Sequence, residues 1–433
     1  MAVGPNTLFQ QGRKVVVVMF SQGITGLGGV VLAAVIGRLG GLDVLGMFTV
    51  MLSLLGALAL IAQRGQANLI SRAVAWASHA DGVGVALRLL SLALRRVVLP
   101  SVLLGIVGSV LLWSGALGEP FPYAAYILPI ALIGVSVLAV LAGYSRGRRR
   151  PYLGPLFEMG GISLATTTLL LAIFAIWGSV SHEAILAAFC LGILLLLGLA
   201  GLSLGRDSAS ALDQVIPSLE QQNELRKGQI AFTLIGASLY LCQTGSFMVA
   251  SPFLVASDLG LLRMAERIAL LVSFPMLAIR PVVAPSMVKL ARIGDPVNLK
   301  RTARYAVLAS TMLSLPILLF LYLFPDLVLG LAGEEFIKAV PFLFVMLLAQ
   351  FVVAVVGPLV GLLHMTNREK ASTWINVTTL GAALLLFPTL TSTYGAMGFA
   401  IAYALTNIGR LSAVAVYIHV TGILGPNVAK TSE

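Results

Sequence analysis

Long uncharged apolar runs recur along almost the whole chain and alternate with short polar segments. Each run is close to the roughly 20 apolar residues that a helix needs to cross a bilayer. The pattern therefore predicts an all-α polytopic membrane protein with about twelve spanning helices. Numbered as spans 1 to 12, they cover residues 15–37, 44–62, 97–118, 123–143, 152–177, 184–205, 229–255, 262–284, 305–325, 339–362, 374–391 and 396–419.

Spans 8 and 12 are the weakest of the twelve, because ionisable side chains interrupt them: Arg263, Glu266, Arg267 and Arg280 in span 8, and Arg410 in span 12. An arginine at the centre of a membrane helix costs roughly 2.5–3.5 kcal/mol on insertion scales. Such side chains usually face a water-filled cavity or a polar partner. We expect the same here and keep both segments as spans.

Lysine and arginine are concentrated in alternate loops. With a cytoplasmic N-terminus, all but five of the 28 basic residues lie on the inner side or at the inner end of a span; the exceptions are Arg38, Lys338, Arg263, Arg267 and Arg410. Basic residues accumulate on the cytoplasmic side of membrane proteins. Both termini are therefore expected in the cytoplasm. The first apolar run is too long for a signal-peptide core and is expected to remain as an uncleaved span.

The most polar stretch of the chain separates spans 6 and 7. It divides the sequence into a six-span bundle (1–205), a cytoplasmic linker (206–228) and a second six-span bundle (229–433). The halves resemble each other, since Leu45-Gly46 opens span 2 and Leu259-Gly260 opens span 8. Six is an even number, so both halves insert the same way up. Parallel repeats of this kind place a substrate cavity between the halves.

Composition agrees with a membrane protein that does not carry out chemistry. Hydrophobic residues make up 58% of the 433 residues and charged residues only 10%, whereas soluble domains carry about 25% charged residues. No phosphate-binding G-x-x-x-x-G-K-[ST] loop, H-E-x-x-H motif or paired C-x-x-C motif occurs, and the four histidines are far apart. We therefore expect a transporter without metal or cofactor, and no nucleic-acid partner. The net charge of +11 is compatible with an anionic substrate, but topology alone also accumulates basic residues.

The most specific charged group is Arg263, Glu266 and Arg267. Their i, i+3 and i+4 spacing places them on one face of a helix, where Glu266 can pair with either arginine. One pairing leaves the other arginine to hold an anion. The alternative is a self-neutralised structural patch.

The other candidates each leave two interpretations open. Arg410 either faces a cavity or reaches the interface or a neighbouring helix. Arg64 and Arg280, at matching inner ends of spans 2 and 8, form either an electropositive cytoplasmic mouth or a topology signal. Glu158 is either an ion-coupling site or a surface acid opposite Arg148–Arg150. Glycine and proline make spans 1 and 7 weak helices, which indicates either moving elements that line a cavity or close packing.

Several stretches, in order along nearly the whole chain, resemble the bacterial polysaccharide (O-antigen type) flippases of the multidrug/oligosaccharidyl-lipid/polysaccharide (MOP) exporter superfamily. They are residues 35–48 (VIGRLGGLDVLGMF), 259–269 (LGLLRMAERIA) followed by Pro285, 333–341 (GEEFIKAVP), and Asn376 followed by 394–402 (YGAMGFAIA).

The resemblance implies two six-helix bundles in a V, located in the bacterial inner membrane. It implies export of an undecaprenyl-diphosphate-linked oligosaccharide from the cytoplasmic to the periplasmic leaflet, with membrane lipids, a polysaccharide polymerase and chain-length proteins as further partners. Basic groups would then hold the diphosphate, and polar side chains would bind the sugars: Gln22, Gln63, Tyr240, Gln243, Asn376 and Asn407. The alternatives are a cation-coupled multidrug exporter, which would need acids at membrane depth, and a membrane glycan polymerase or ligase, which would need a large polar loop.

Overall fold

The computed structural model describes residues 5–80, 82–118, 120–148, 150, 152–208, 222–223, 225–226, 228–293, 295–365 and 369–421; for some of these, residues 5–22 among them, this description covers the backbone alone. Over these residues the regular secondary structure is entirely helical. The α-helices are α1 (Pro5–Gln63), α2 (Gln66–Ala80), α3 (Gly82–Trp113), α4 (Ala124–Gly147), α5 (Met159–Trp177), α6 (His182–Ser208), α7 (Gln229–Tyr240), α8 (Ser246–Ala250), α9 (Ala256–Ala269), α10 (Phe274–Ile293), α11 (Pro296–Leu323), α12 (Pro325–Gly330), α13 (Val340–Met365) and α14 (Glu369–Val420).

Two of the long helices each contain two predicted spans. Helix α1 holds spans 1 and 2 and breaks at Gly41, where φ is 83° and ψ is −175°. Helix α14 holds spans 11 and 12 and breaks at Gly395, where φ is 58° and ψ is −139°. Glycine adopts a positive φ without the penalty that a Cβ atom brings. Each break therefore separates two helices that are long enough to cross the membrane.

Within the described residues, nine helices are long and apolar enough to cross a membrane. Two of them are the broken helices α1 and α14, which account for four spans. Span 8 is not among the nine; it consists of parts of α9 and α10, which a 3-10 turn at Leu270–Ser273 joins. The chain is thus an all-helical, multi-pass membrane protein, and the predicted fold class is confirmed.

The inner loop predicted between spans 2 and 3 is largely helical. Helix α2 buries Leu69, Ile70, Ala73 and Val74 and exposes Arg72. Such a one-sided apolar stripe is typical of a helix that packs against other elements, and α2 packs on Gly143 and Gly147 of α4. Helix α3 begins at Gly82, so the start predicted at residue 97 is too late. The charged side chains of Arg88, Arg95 and Arg96 hid this extension from a search for uncharged runs.

The chain folds into two compact units, Ile24–Gly260 and Met1–Gly23 with Leu261–Glu433. In the unit Ile24–Gly260, the ring of Phe48 packs edge-on against Phe121 and Phe189, each with a centroid separation of 5.8 Å. Edge-on aromatic pairs contribute about 0.5–1.5 kcal/mol beyond their buried area. This cluster joins span 2 to the segment just before α4 and to α6. The division of the chain into 1–205 and 229–433 stays a prediction.

The unit that contains Leu261–Glu433 has its own apolar core. Phe387 and Phe399 lie 5.1 Å apart on either side of the break at Gly395 and hold spans 11 and 12 together. The hydroxyl of Ser310 in α11 donates to the carbonyl of Ala354 in α13 at 2.6 Å. Asp295 caps α11 by accepting from the backbone N–H of Asn298 at 3.0 Å. Hydrogen bonds from the backbone and the side chain of Asn298 lower the pKa of the Asp295 carboxyl.

Two glycines let the start of span 2 cross the start of α9 at backbone contact. A Cβ atom on Gly46 would lie 1.8 Å from the carbonyl oxygen of Ala256, and one on Gly260 would lie 2.2 Å from that of Leu42. Each glycine thus packs on the carbonyl four residues before the other glycine. Small residues permit this approach of two helices. The contact joins the two positions that the sequence repeat pairs.

We expect Gly46→Val to destabilise the protein, because the backbone of Ala256 cannot move away as a flexible side chain would. Overpacking of this kind costs about 1–3 kcal/mol. The measurement is the thermal unfolding temperature of the detergent-purified protein. Gly198→Val is the control, since a Cβ atom on Gly198 in α6 meets nothing within 4 Å. Equal unfolding temperatures for the two variants would contradict the crossing.

Candidate functional site

Arg263, Glu266 and Arg267 lie together on α9, as their spacing predicts. One guanidinium nitrogen of Arg263 donates to Oε2 of Glu266 at 3.1 Å, and Nε of Arg267 lies 3.6 Å from the same oxygen. The side chains of Arg263 and Glu266 are only 3% and 1% exposed, whereas that of Arg267 is 21% exposed. Oε1 of Glu266 has no hydrogen-bond partner among the described residues.

The structure shows the ion pairing that the spacing predicts, whereas anion binding by one of the arginines stays a prediction. Glu266 contacts both arginines, so one carboxylate is shared between two guanidinium groups and the α9 cluster is net cationic. Arg263 is fully engaged in the buried pair. Arg267 is the member that remains accessible, and it is the one that can contact an anion.

Helix α9 is placed by its apolar residues and by the break that follows it. Leu259, Leu262, Ala265 and Ile268 are buried, so apolar positions surround the charged face within the fold. Asp258 lies in the first turn of the helix, where a carboxylate interacts favourably with the helix dipole. Burial raises the pKa of the Asp258 carboxyl.

Arg410 belongs to a polar face of span 12. Tyr403, Asn407 and Arg410 follow one another at spacings of four and three residues, and all three are buried. The side-chain amide of Asn407 donates to the carbonyl of Tyr403 at 2.9 Å, and that of Gln350 in α13 donates to the Tyr403 hydroxyl at 2.5 Å. Arg410 is 8% exposed and engaged by its surroundings, so it lies inside its unit.

Gln350 and Tyr403 were not among the residues predicted from the sequence. Gln350 is the only amide side chain in span 10, and this isolated polar position is the signal that could have found it. Tyr403 gave no such signal, because a tyrosine is common in an apolar run.

Asn376 in span 11 is also buried, at 6% exposure. Its amide nitrogen donates to the backbone carbonyl of Ser372 at 2.8 Å, while its amide oxygen has no partner among the described residues. Asn376 and Asn407 are therefore interior polar groups of their unit.

Tyr240 anchors span 7 to span 2. Its hydroxyl lies 2.9 Å from the carbonyl oxygen of Ser53 and 3.2 Å from that of Leu52. Next to it, span 7 widens into a π-helical turn at Leu241–Gly245. The hydroxyl of Ser53 donates to the carbonyl of Thr244 in this turn at 2.7 Å. The helical irregularity predicted for span 7 is present, and hydrogen bonds with span 2 stabilise it.

Gln243 lies inside this π-helical turn and is partly exposed. Its side chain makes no hydrogen bond to any described residue, and the same holds for Gln63 near the end of span 2. Single π-helical turns occur frequently at functional sites. Gln243 and Gln63 are therefore the amides available for a ligand, whereas the side chain of Gln22 lies outside the described residues.

The remaining predicted residues lie at the surface. Arg64 is exposed, and its guanidinium donates to the carbonyl of Arg96 at 3.0 Å. Arg280 is exposed on α10. Glu158 forms an ion pair with Arg146, and its side chain is 45% exposed. A role of Glu158 in ion coupling stays a prediction.

The structure is similar to solved transporters along almost its whole length. An inward-facing multidrug resistance MATE family transporter of the MOP superfamily superposes with a TM-score of 0.69 at 16% identity, over 97% of this chain and 96% of that one. The lipid II flippase MurJ, in an inward closed conformation, gives 0.67 at 11% identity, over 94% and 89%. A mutant of the Vibrio cholerae MATE transporter VcmN gives 0.62 at 15% identity, over 96% and 98%.

No protein-family model and no curated protein matches the sequence. At these identities the structural similarity concerns the fold, and it shows that this chain has the helical fold of MOP-superfamily transporters. The similar solved structures include both multidrug transporters and a lipid II flippase.

We expect Glu266→Gln to destabilise the protein strongly, because it leaves the buried Arg263 without a counter-charge. Breaking a buried ion pair in this way costs about 3–5 kcal/mol. The measurement is again the unfolding temperature in detergent. Glu158→Gln is the matched control, since a half-exposed pair contributes about 0–1 kcal/mol. If the two variants unfold at the same temperature, Glu266 is not the buried counter-ion.

Proposed function

We propose that this protein is a flippase that moves undecaprenyl-diphosphate-linked oligosaccharides from the cytoplasmic to the periplasmic leaflet of a bacterial inner membrane, with both termini in the cytoplasm. The observation that carries the proposal is the α9 cluster, Arg263, Glu266 and Arg267. It is net cationic, lies in a predicted span and presents one accessible arginine. The sequence resemblance to polysaccharide flippases supports the same substrate class.

The positive charge of the α9 cluster favours an anionic substrate. A guanidinium group binds phosphate oxygens through two parallel hydrogen bonds, and Arg267 is the accessible guanidinium of the cluster. A diphosphate also offers several acceptor oxygens to one or two arginines. An inside-negative membrane potential pushes an anion outward, by about 2.3 kcal/mol per charge per 100 mV. The proposed direction of transport is therefore the favourable one for a diphosphate.

The sugars of such a substrate need neutral hydrogen-bonding groups. Gln63 and Gln243 are partly exposed amides with no partner among the described residues, and each has both donors and an acceptor to offer. We assign them, and not Tyr240, to the glycan, because the Tyr240 hydroxyl already contacts the backbone of span 2. A polysaccharide polymerase and chain-length proteins are the partners that would use the exported units.

A multidrug exporter is the second candidate, favoured by the structural similarity to MATE transporters. Organic cations would need an accessible carboxylate at membrane depth. Of the two acids considered for this role, Glu266 lies between two arginines and Glu158 is paired with Arg146. Both acids are therefore already neutralised, which favours the lipid-linked anion over an organic cation.

The test is transport by Arg267→Gln in proteoliposomes that contain an undecaprenyl-diphosphate-linked oligosaccharide. Losing one hydrogen bond to a charged group costs about 1.5–3 kcal/mol, which corresponds to a rate roughly 10- to 100-fold lower. The measurement is the fraction of lipid-linked glycan that becomes accessible to an added glycosidase. Arg304→Gln, on the exposed surface of α11, is the control and should transport normally.

Unchanged glycan transport by a stably folded Arg267→Gln protein would remove Arg267 from the substrate site. Dye export by the wild-type protein in the same vesicles, without glycan transport, would replace the flippase by the multidrug exporter.

A further inference from the structure

Three arginines from separate segments meet at one end of the unit Ile24–Gly260. They are Arg64 after span 2, Arg96 in α3 and Arg226 just before α7, here called the arginine triad. The guanidinium of Arg64 donates to the carbonyl of Arg96 at 3.0 Å, and that of Arg96 donates to the carbonyl of Leu225 at 3.4 Å. Arg64 and Arg226 both lie close enough for their positive charges to act on Arg96.

The backbone that carries Arg226 is held in place by side chains of the same unit. Leu225 is fully buried, and its carbonyl also accepts from the side-chain amides of Gln66 at 3.0 Å and Gln229 at 2.9 Å. The end of the predicted linker is therefore attached to the turn between α1 and α2. This attachment keeps the three guanidinium groups together although they repel one another.

No carboxylate among the described residues pairs with the triad. Glu158 pairs with Arg146, and Glu266 pairs with the arginines of the α9 cluster, so neither of these carboxylates belongs to the triad. Three like charges held close together are stabilised when an anion joins them. The triad thus has the charge of an anion site in a fixed arrangement.

A second feature of the same place favours an anion. Helix α2 has 15 residues, begins two positions after Arg64 and has no acidic residue in its first turn. A helix N-terminus carries a partial positive charge and attracts phosphate groups. Arg64 closely follows span 2, so the triad lies at the end of a predicted spanning segment, where the phosphate groups of lipids lie.

We propose that the arginine triad binds a lipid-borne phosphate group at the membrane surface. Two lipids present this chemistry: an anionic phospholipid of the bilayer, and a polyprenyl diphosphate. In the first case the site holds a membrane lipid and is independent of the proposed function. In the second case it rests on that function and is a first contact for the substrate, separate from Arg267.

The experiment measures lipid binding to the full-length protein in nanodiscs by native mass spectrometry. One arm adds phosphatidylglycerol to a phosphatidylcholine bilayer, and the other adds undecaprenyl diphosphate. Arg226→Gln is the primary variant, because the Arg226 side chain is exposed and donates no hydrogen bond to another described residue; Arg96→Gln is the second. Arg72→Gln, an exposed arginine on α2 outside the triad, is the matched control.

We expect Arg226→Gln to bind one of the two lipids about tenfold more weakly, the effect of one lost hydrogen bond to a charged group, while Arg72→Gln binds as the wild type does. Loss confined to phosphatidylglycerol identifies a bilayer lipid, and loss confined to undecaprenyl diphosphate identifies the substrate. Equal losses in Arg226→Gln and Arg72→Gln, or no loss in Arg226→Gln, would overturn the proposal. Glycan transport by Arg267→Gln is measured separately, so failure of the triad and failure of the flippase function give different results.

Discussion

A polar group that this chain carries into a membrane has to find its partner within the protein, because hydrocarbon offers no hydrogen bonds. Continuous helices satisfy the backbone without outside help. Wherever a helix is interrupted, something else is needed. In the π-helical turn of span 7, the carbonyl of Thr244 accepts a hydrogen bond from the Ser53 hydroxyl. The breaks of α1 and α14 occur at glycines, which turn the chain without strain. The same constraint explains why the polar side chains inside the fold occur in connected groups.

Charge follows this constraint most strictly. Glu266 is buried, and two arginines lie around one of its oxygens. The cluster therefore keeps a net positive charge, and Arg267 is its partly exposed member. The arginine triad differs, because it lies at the end of a helical unit and has no acid among the described residues. One group places positive charge within a predicted span and the other places it at the surface. A substrate with a phosphate-bearing head and a long apolar tail is suited to both environments.

Much of the architecture could be predicted from the sequence. The twelve apolar runs, including the weak span 8, correspond to helices, because hydropathy over 20 residues is a local property. The weakness of span 7 was also visible in Gly245 and Pro252. The start of α3 was misplaced, since Arg88, Arg95 and Arg96 end an uncharged run without ending a helix. The network of Gln350 and Tyr403 was missed, because a hydrogen bond between spans 10 and 12 leaves no pattern within either.

The sequence by itself determined that the protein is helical, crosses the membrane many times and carries a cationic excess, since length, hydropathy and charge are counted along the chain. It also determined that Arg263, Glu266 and Arg267 share one face of a helix. Only the tertiary structure decided which of them is accessible, because burial depends on neighbouring helices. It likewise decided that Gln66 and Arg96 meet the carbonyl of Leu225, 159 and 129 positions away, and that Gly46 touches the backbone of Ala256. Contacts at such separations depend on how helices pack, which no local pattern encodes.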